Sequence, residues 1–313
     1  VSWGFALLFV AACAFVAFAA SALSGAMIIP VERALGRVRA HGRARIWLLF
    51  SFLPLFASVL VVVGAFGPWM GLTPDHCATH FEEHVHLCFG HQARSASLFL
   101  ILPASALATR IAQRFLRAAE RVLRARRVRG ELLAVQTATV GDVHVLPLGE
   151  ANAFVLGYWS PTLFVSRALL ERPASEVEAV LAHERAHADR RDPLRRLVAF
   201  LALAFHLPGI ADALERRIGV AQEMAADAHA AGQIGDPVRV AEALLTVARG
   251  QTAHRGHGAI PERIIELLNE TPQYGGPPLR ALFAGVAFAF MTVALGAGAV
   301  HHMLESALSF LGA

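Results

Sequence analysis

From Trp3 to Ile29 the chain carries no charged side chain, and that narrows what it can fold into. A helix rises about 1.5 Å per residue, so a helical run of this length exceeds the roughly 30 Å of a bilayer's hydrocarbon core. Three further apolar runs follow, from Ile46 to about Met70, from about Ser95 to Ile111 and from Ala281 to about Val300. The third is shorter but within the range of membrane spans. Composition agrees: 56% of residues are hydrophobic and 17% charged, where a soluble domain averages about a quarter charged. No basic residue precedes the first run, so it reads as an anchor, although small residues from Ala19 to Ala22 imitate a signal-peptidase site. The expected fold class is α+β: a multi-pass helical membrane protein of about four spans carrying a mainly helical domain with a small sheet.

Arginine sets the expected orientation. All 28 basic residues are arginine. Arg33, Arg37, Arg39, Arg43 and Arg45 lie between the first two runs, and a row from Arg110 through Arg114, Arg117, Arg121, Arg124, Arg126 and Arg127 to Arg129 follows the third. By the positive-inside rule both belong in the cytoplasm. Both termini and residues 71–94 are then outside, and residues 130–279 inside. The domains expected are a membrane domain over 1–129, a cytoplasmic domain over 130–279, and a last span with a short outer tail over 280–313. The pI near 9.6 would suit nucleic-acid binding, but the arginines border apolar segments. They read as an inside anchor touching anionic lipid, with no direct nucleic-acid partner.

Within the inner segment stands His183-Glu184-Arg185-Ala186-His187, an HExxH string on an apolar-periodic stretch with Val177, Val180 and Leu181. Two histidines four apart share a helix face and can reach one metal, while Glu184 can act as general base on a bound water. Zinc needs a third protein ligand. Glu223 is the leading candidate. Asp227, one helical turn on, could accept the N–H of a ligand histidine. Asp192, His206 and His229 are rival ligands. His206 also reads as a core histidine, and Arg190, Arg191 and Asp192 as an ion-pair network or a contact with lipid headgroups. Alternating residues over Glu131–Leu148 suggest strands, and Asn152–Ser166 reads as strand, turn, strand. Asn152, Ala153 and Phe154 begin either a substrate-binding sheet edge or an ordinary core strand. The apolar Leu197–Leu207 is short for a span and reads as a buried helix.

These motifs resemble the gluzincin membrane proteases, which include the HtpX-type and CAAX-prenyl enzymes. The fuller string from His183 to Pro193 is closer to the BlaR/MecR-type sensor metallopeptidases, which also place the protease between a third and a fourth span. The resemblance implies zinc bound by His183, His187 and Glu223, Glu184 as base and Asp227 behind the ligands. It also implies a signalling role, in which an extracytoplasmic signal activates cleavage of a cytoplasmic protein, a winged-helix repressor of the BlaI/MecI type, or of the protease itself. A processing or quality-control protease and a catalytically idle scaffold are the alternatives, and a homodimer is compatible with each. The penicillin-binding domain of the β-lactam receptors is expected to be missing, since about a dozen residues follow the last run, without Ser-x-x-Lys.

Any signal would then enter at the outer loop. Residues 73–94 hold His76, Cys77, His80, His84, His86, Cys88 and His91, including five of the chain's 15 histidines. Three readings stand: a Cys77–Cys88 disulfide with solvated histidines, a zinc or copper site, or a pH sensor. The linker Arg249–Pro278 reads as a cleavable or gating loop. Titrating a peptide of residues 71–94 with zinc and copper tests the metal reading: binding tighter than millimolar supports it, and weaker binding ends it.

Overall fold

The computed structural model describes residues 3–67, 69–71, 98–250 and 260–269, with the isolated residue 306. The outer loop with its histidines and Cys77 and Cys88 lies outside the described residues, as does the run Ala281–Val300. The described chain is mostly helical with one four-stranded sheet.

Among the described residues two apolar stretches are of membrane length, Trp3–Leu35 and Ala40–Phe66. The first is helix α1 (Trp3–Leu35), which continues through Pro30. The second is broken into α2 (Ala40–Phe50) and α3 (Leu53–Phe66). The break has a cause: Pro54 lacks an N–H and its ring collides with the carbonyl one turn back, so the helix restarts with Pro54 in its first turn. Ser51 bonds back to the Leu48 carbonyl at 2.6 Å. The third run enters through a 3-10 turn at Leu98–Leu100 into α4 (Ile101–Val135), which carries the chain unbroken past the arginine row. Ala11 and Ala12 of α1, Val61 of α3 and Ala104 of α4 pack together; small residues of this kind let apolar helices approach closely.

Helix α4 corrects one sequence expectation. Leu133 and Val135, expected in a strand, are still helical. Their neighbours are strong helix formers, and Arg127 and Glu131 sit 3.5 Å apart at helical spacing. The sheet starts later, with β1 (Ala138–Val140), β2 (Val143–Leu146), β3 (Ala153–Leu156) and β4 (Thr162–Ser166), in the order β1-β2-β4-β3. β4 is central and fully buried, parallel to β2 and antiparallel to β3. Gly157 holds the β3–β4 turn at φ 113°, where an added Cβ would fall 2.6 Å from the Ser160 carbonyl oxygen. β3 is an edge strand among the described residues.

After a single turn, α5 (Arg167–Leu170), come α6 (Ala174–Asp189), α7 (Asp192–Ala202), α8 (Pro208–Ile234), α9 (Pro237–Gly250) and α10 (Ile260–Leu268). The sheet packs on α6 through Val143, Leu163, Val165 and Val180. Leu197–Leu207 is not a span: Leu197 and Phe200 pack on Ala118 of α4, and Leu203 packs with the α8 residues Leu214 and Ile218. That last cluster also contains Ile28 and Leu35 of α1 and Trp47 of α2, so the membrane-length helices rest directly on α8.

Helices α6 and α7 meet at Arg191, the one non-glycine residue with positive φ, 52°, among the described residues. A left-handed conformation costs an L-residue about 1–2 kcal/mol. Arg191→Gly should therefore raise the thermal midpoint of the detergent-solubilised protein. Arg191→Val should lower stability by about 1–2 kcal/mol, because a β-branched residue fits that conformation worst.

Candidate metal centre

Helix α6 buries Ala179, Ala182 and Ala186, spaced three and four apart as one helix stripe requires. These methyl groups let α8 approach closely. His183 and His187 sit on the adjoining stripe and meet Glu223 from α8. His183 Nε2 and His187 Nε2 are 3.2 Å apart. Glu223 Oε2 lies 3.5 Å from the first and 3.7 Å from the second. Zinc–ligand bonds of about 2.0–2.1 Å in a tetrahedron place ligand atoms about 3.3 Å apart. The three side chains thus mark one face of a tetrahedron of the right size, and two imidazoles with one carboxylate are a suitable donor set for zinc.

Each histidine is held from behind. His183 Nδ1 lies 2.8 Å from Asp227 Oδ1, and His187 Nδ1 lies 2.8 Å from Asp192 Oδ2. Both carboxylates are about 1% exposed. Such contacts fix the ring orientation and the tautomer that leaves Nε2 for a metal. Buried carboxylates need compensation. Arg263 of α10 meets Asp227 through two hydrogen bonds of 2.6 and 2.7 Å. Arg190 donates to Asp192 Oδ2 at 2.8 Å and to the Gln222 carbonyl at 3.1 Å. Arg196 donates to Glu223 Oε1 at 2.7 Å, leaving Oε2 toward the histidines.

The charges follow from this arrangement. Burial alone would lower the affinity of His183 for a proton, but the carboxylates of Asp227 and Glu223 outweigh it and raise its pKa to about 10. The field that attracts a proton there also attracts a dication. Burial would raise Glu223, yet its contacts with His183 and His187 hold its carboxyl well below the usual range. Glu184 is raised, chiefly by burial.

The histidines open on a cleft of about 450 Å³, whose walls include Phe154 and Leu156 of β3, Tyr158, Arg121 of α4 and Arg196 of α7. Glu184 lines the same cleft. Of the expected edge residues, Phe154 reaches the cleft. Asn152 lies just before β3, where its N–H meets Ser166 Oγ at 2.9 Å, and Ala153 pairs with Val165 of β4.

The rival ligands fall elsewhere. His206 is buried with Nδ1 3.2 Å from Ser21 Oγ of α1, and His229 is exposed on α8. Asp192 stands behind His187. Two functional contacts escaped the sequence. Asp192 follows its histidine by five residues, but only the left-handed turn at Arg191 brings it back onto the ring. Arg263 stands in a stretch that reads as linker, and no local pattern marks it.

Residues 129–219 match the model of Peptidase family M48, a metallopeptidase family. The matched segment holds the sheet, His183, Glu184, His187 and Asp192 and ends before Glu223 and Asp227. No curated protein and no solved structure matches the chain.

Asp192→Asn and Asp227→Asn should each weaken zinc binding by about 10–100-fold, measured by competition with a chromogenic chelator. Glu223→Gln should weaken it at least as much. A His229→Ala variant should bind like the unaltered protein.

Proposed function

We propose that this chain is a membrane-embedded, zinc-dependent endopeptidase whose cleft opens on the cytoplasmic side. One observation carries the reading: His183, His187 and Glu223 converge in a cleft walled by an edge strand. Zinc held by these three residues would supply Lewis acidity toward a peptide carbonyl and would acidify a water.

The remaining work belongs to the chain's own groups. The side of β3 that is unpaired among the described residues offers backbone N–H and C=O groups to a substrate taken up as an additional strand. This holds the peptide extended along the cleft. Glu184 takes the proton of the attacking water and hands it to the leaving amine, and burial strengthens it as a base. Asp192 and Asp227 keep the two imidazoles aimed. Tyr158, Arg121 and Arg196 are donors in the cleft wall, of which Arg196 already donates to Gln222 and Glu223.

Within this reading the protease is a signal transducer. Its substrate is a cytoplasmic protein, a winged-helix repressor of the BlaI/MecI type, or the chain itself. The histidine-rich outer loop and the arginine-marked topology support this, as does the packing of α1 and α2 on α8, the helix that bears Glu223 and Asp227. The family match covers the sheet and the HExxH helix but ends before Glu223, and it supports equally a processing or quality-control protease of the HtpX or CAAX-prenyl type.

A Glu184→Gln variant separates enzyme from scaffold. It should retain zinc while proteolysis falls by about 100- to 10,000-fold. A chelator should abolish cleavage by the unaltered protein, and zinc should restore it. Undiminished proteolysis in the zinc-loaded variant would sink the enzymatic reading.

A further inference from the structure

A second hollow, of about 520 Å³, adjoins the metal cleft between α4 and the end of β3. Arg117, Glu120, Arg121 and Arg124 line it from α4, and Leu156 and Tyr158 from the other side. Arg121, Leu156 and Tyr158 also line the metal cleft, so the two hollows are continuous. We propose that this hollow is a substrate subsite selecting Asp and Glu side chains of the polypeptide lying along β3, with Arg117, Arg121 and Arg124 as the specificity-determining residues. The proposal rests on the peptidase reading and adds its substrate class.

Charge and spacing carry the argument. The three arginines are three and four apart, hence on one face of α4. All three are exposed, and they outnumber the single carboxylate of the hollow. That carboxylate, Glu120, lies 2.5 Å from Arg124. Arg121 lies over the Phe200 ring at 3.8 Å from its centroid. This fixes the guanidinium at the boundary between the hollows while its edges stay available for a carboxylate. From Arg117 to Arg124 the helix rises about 10 Å. Side chains on one face of a bound strand recur about every 7 Å, so the row can serve two same-facing residues of the substrate.

Anionic lipid is the competing use of arginines on a helix that leaves an apolar segment, and the geometry argues against it here. The arginines nearest that segment are turned into the protein: Arg110 donates to the Ala204 carbonyl at 3.3 Å and Arg114 to the Phe200 carbonyl at 3.0 Å. The exposed row begins one turn later, where Leu156 at the end of β3 and Tyr158 face it across the hollow. Of the exposed apolar side chains of α4, Phe115 falls on the opposite side of the helix and Leu116 and Leu123 on its flank.

The test uses the full-length protein in detergent, with Glu184→Gln to prevent turnover, and fluorescein-labelled extended peptides. The peptides are identical except at two alternate positions, which carry Glu, Gln or Arg. Anisotropy should show the Glu peptide binding about tenfold tighter than the Gln peptide, with the Arg peptide weakest. The preference should shrink with added salt. Adding Arg117→Glu and Arg124→Glu should reverse the order, and Arg117→Gln with Arg124→Gln should level it. In the Glu184-containing protein the same order should appear in kcat/KM, mainly through KM. Equal binding of the three peptides, or an order unchanged by charge reversal, overturns the proposal. So does a reversal that only weakens sedimentation with phosphatidylglycerol vesicles, which would assign the row to the membrane. If the binding order holds and reverses while the Glu184-containing protein cleaves no peptide, the acidic subsite stands and the peptidase reading falls.

Discussion

The two carboxylate–imidazole contacts, Asp227 with His183 and Asp192 with His187, are the constraint on which the rest depends. Each places a buried negative charge behind a ring whose other nitrogen faces a shared point. A buried carboxylate is tolerable only when fully compensated, so each recruits an arginine, and each arginine comes from a different part of the chain. Arg190 follows the α6 motif directly, whereas Arg263 arrives from α10, beyond α9. The candidate metal centre is thus tied to its surroundings mainly by charge pairs. Removing an arginine leaves a buried carboxylate with less compensation.

Holding those charges together requires close approach of helices. Alanines on α6 and on α8, among them Ala182, Ala186, Ala226 and Ala230, are buried and keep the helix surfaces low. Larger side chains there would push Glu223 beyond reach of the histidines. The opposite flank of α8 is apolar, and Leu214 and Ile218 pack against Ile28, Leu35 and Trp47. One helix therefore touches the membrane-length segments and carries Glu223 to the two histidines. Arg43 of α2 and Glu266 of α10 are also paired, which joins α2 to the helix that carries Arg263. A displacement of α1 or α2 has short physical routes to the centre.

The cleft beside this centre is built differently. The cleft has an edge strand on one side, whose backbone offers sequence-independent hydrogen bonds, and a basic helix face on the other, whose side chains can discriminate. Affinity from main chain and specificity from side chains is a division that strand-addition sites commonly use. Here both walls meet at Tyr158 and Leu156, one residue to either side of the Gly157 turn.

By itself the sequence determined the local parts: the apolar runs, the helix bearing HExxH, the spacing of Glu223 and Asp227, and the strand–turn–strand that became β3 and β4. Each of these depends on periodicity or on a residue's own conformational limits, which neighbours in the chain reveal. Only the tertiary structure decided the break before Pro54, the helical fate of Leu133 and Val135, and the place of β3 at the sheet edge. It alone returned Asp192 to His187 through a left-handed Arg191 and brought Arg263 onto Asp227. These contacts pair groups that no repeating spacing connects. They are set by how closely alanine-lined helices can approach and by the need to neutralise charge once it is buried.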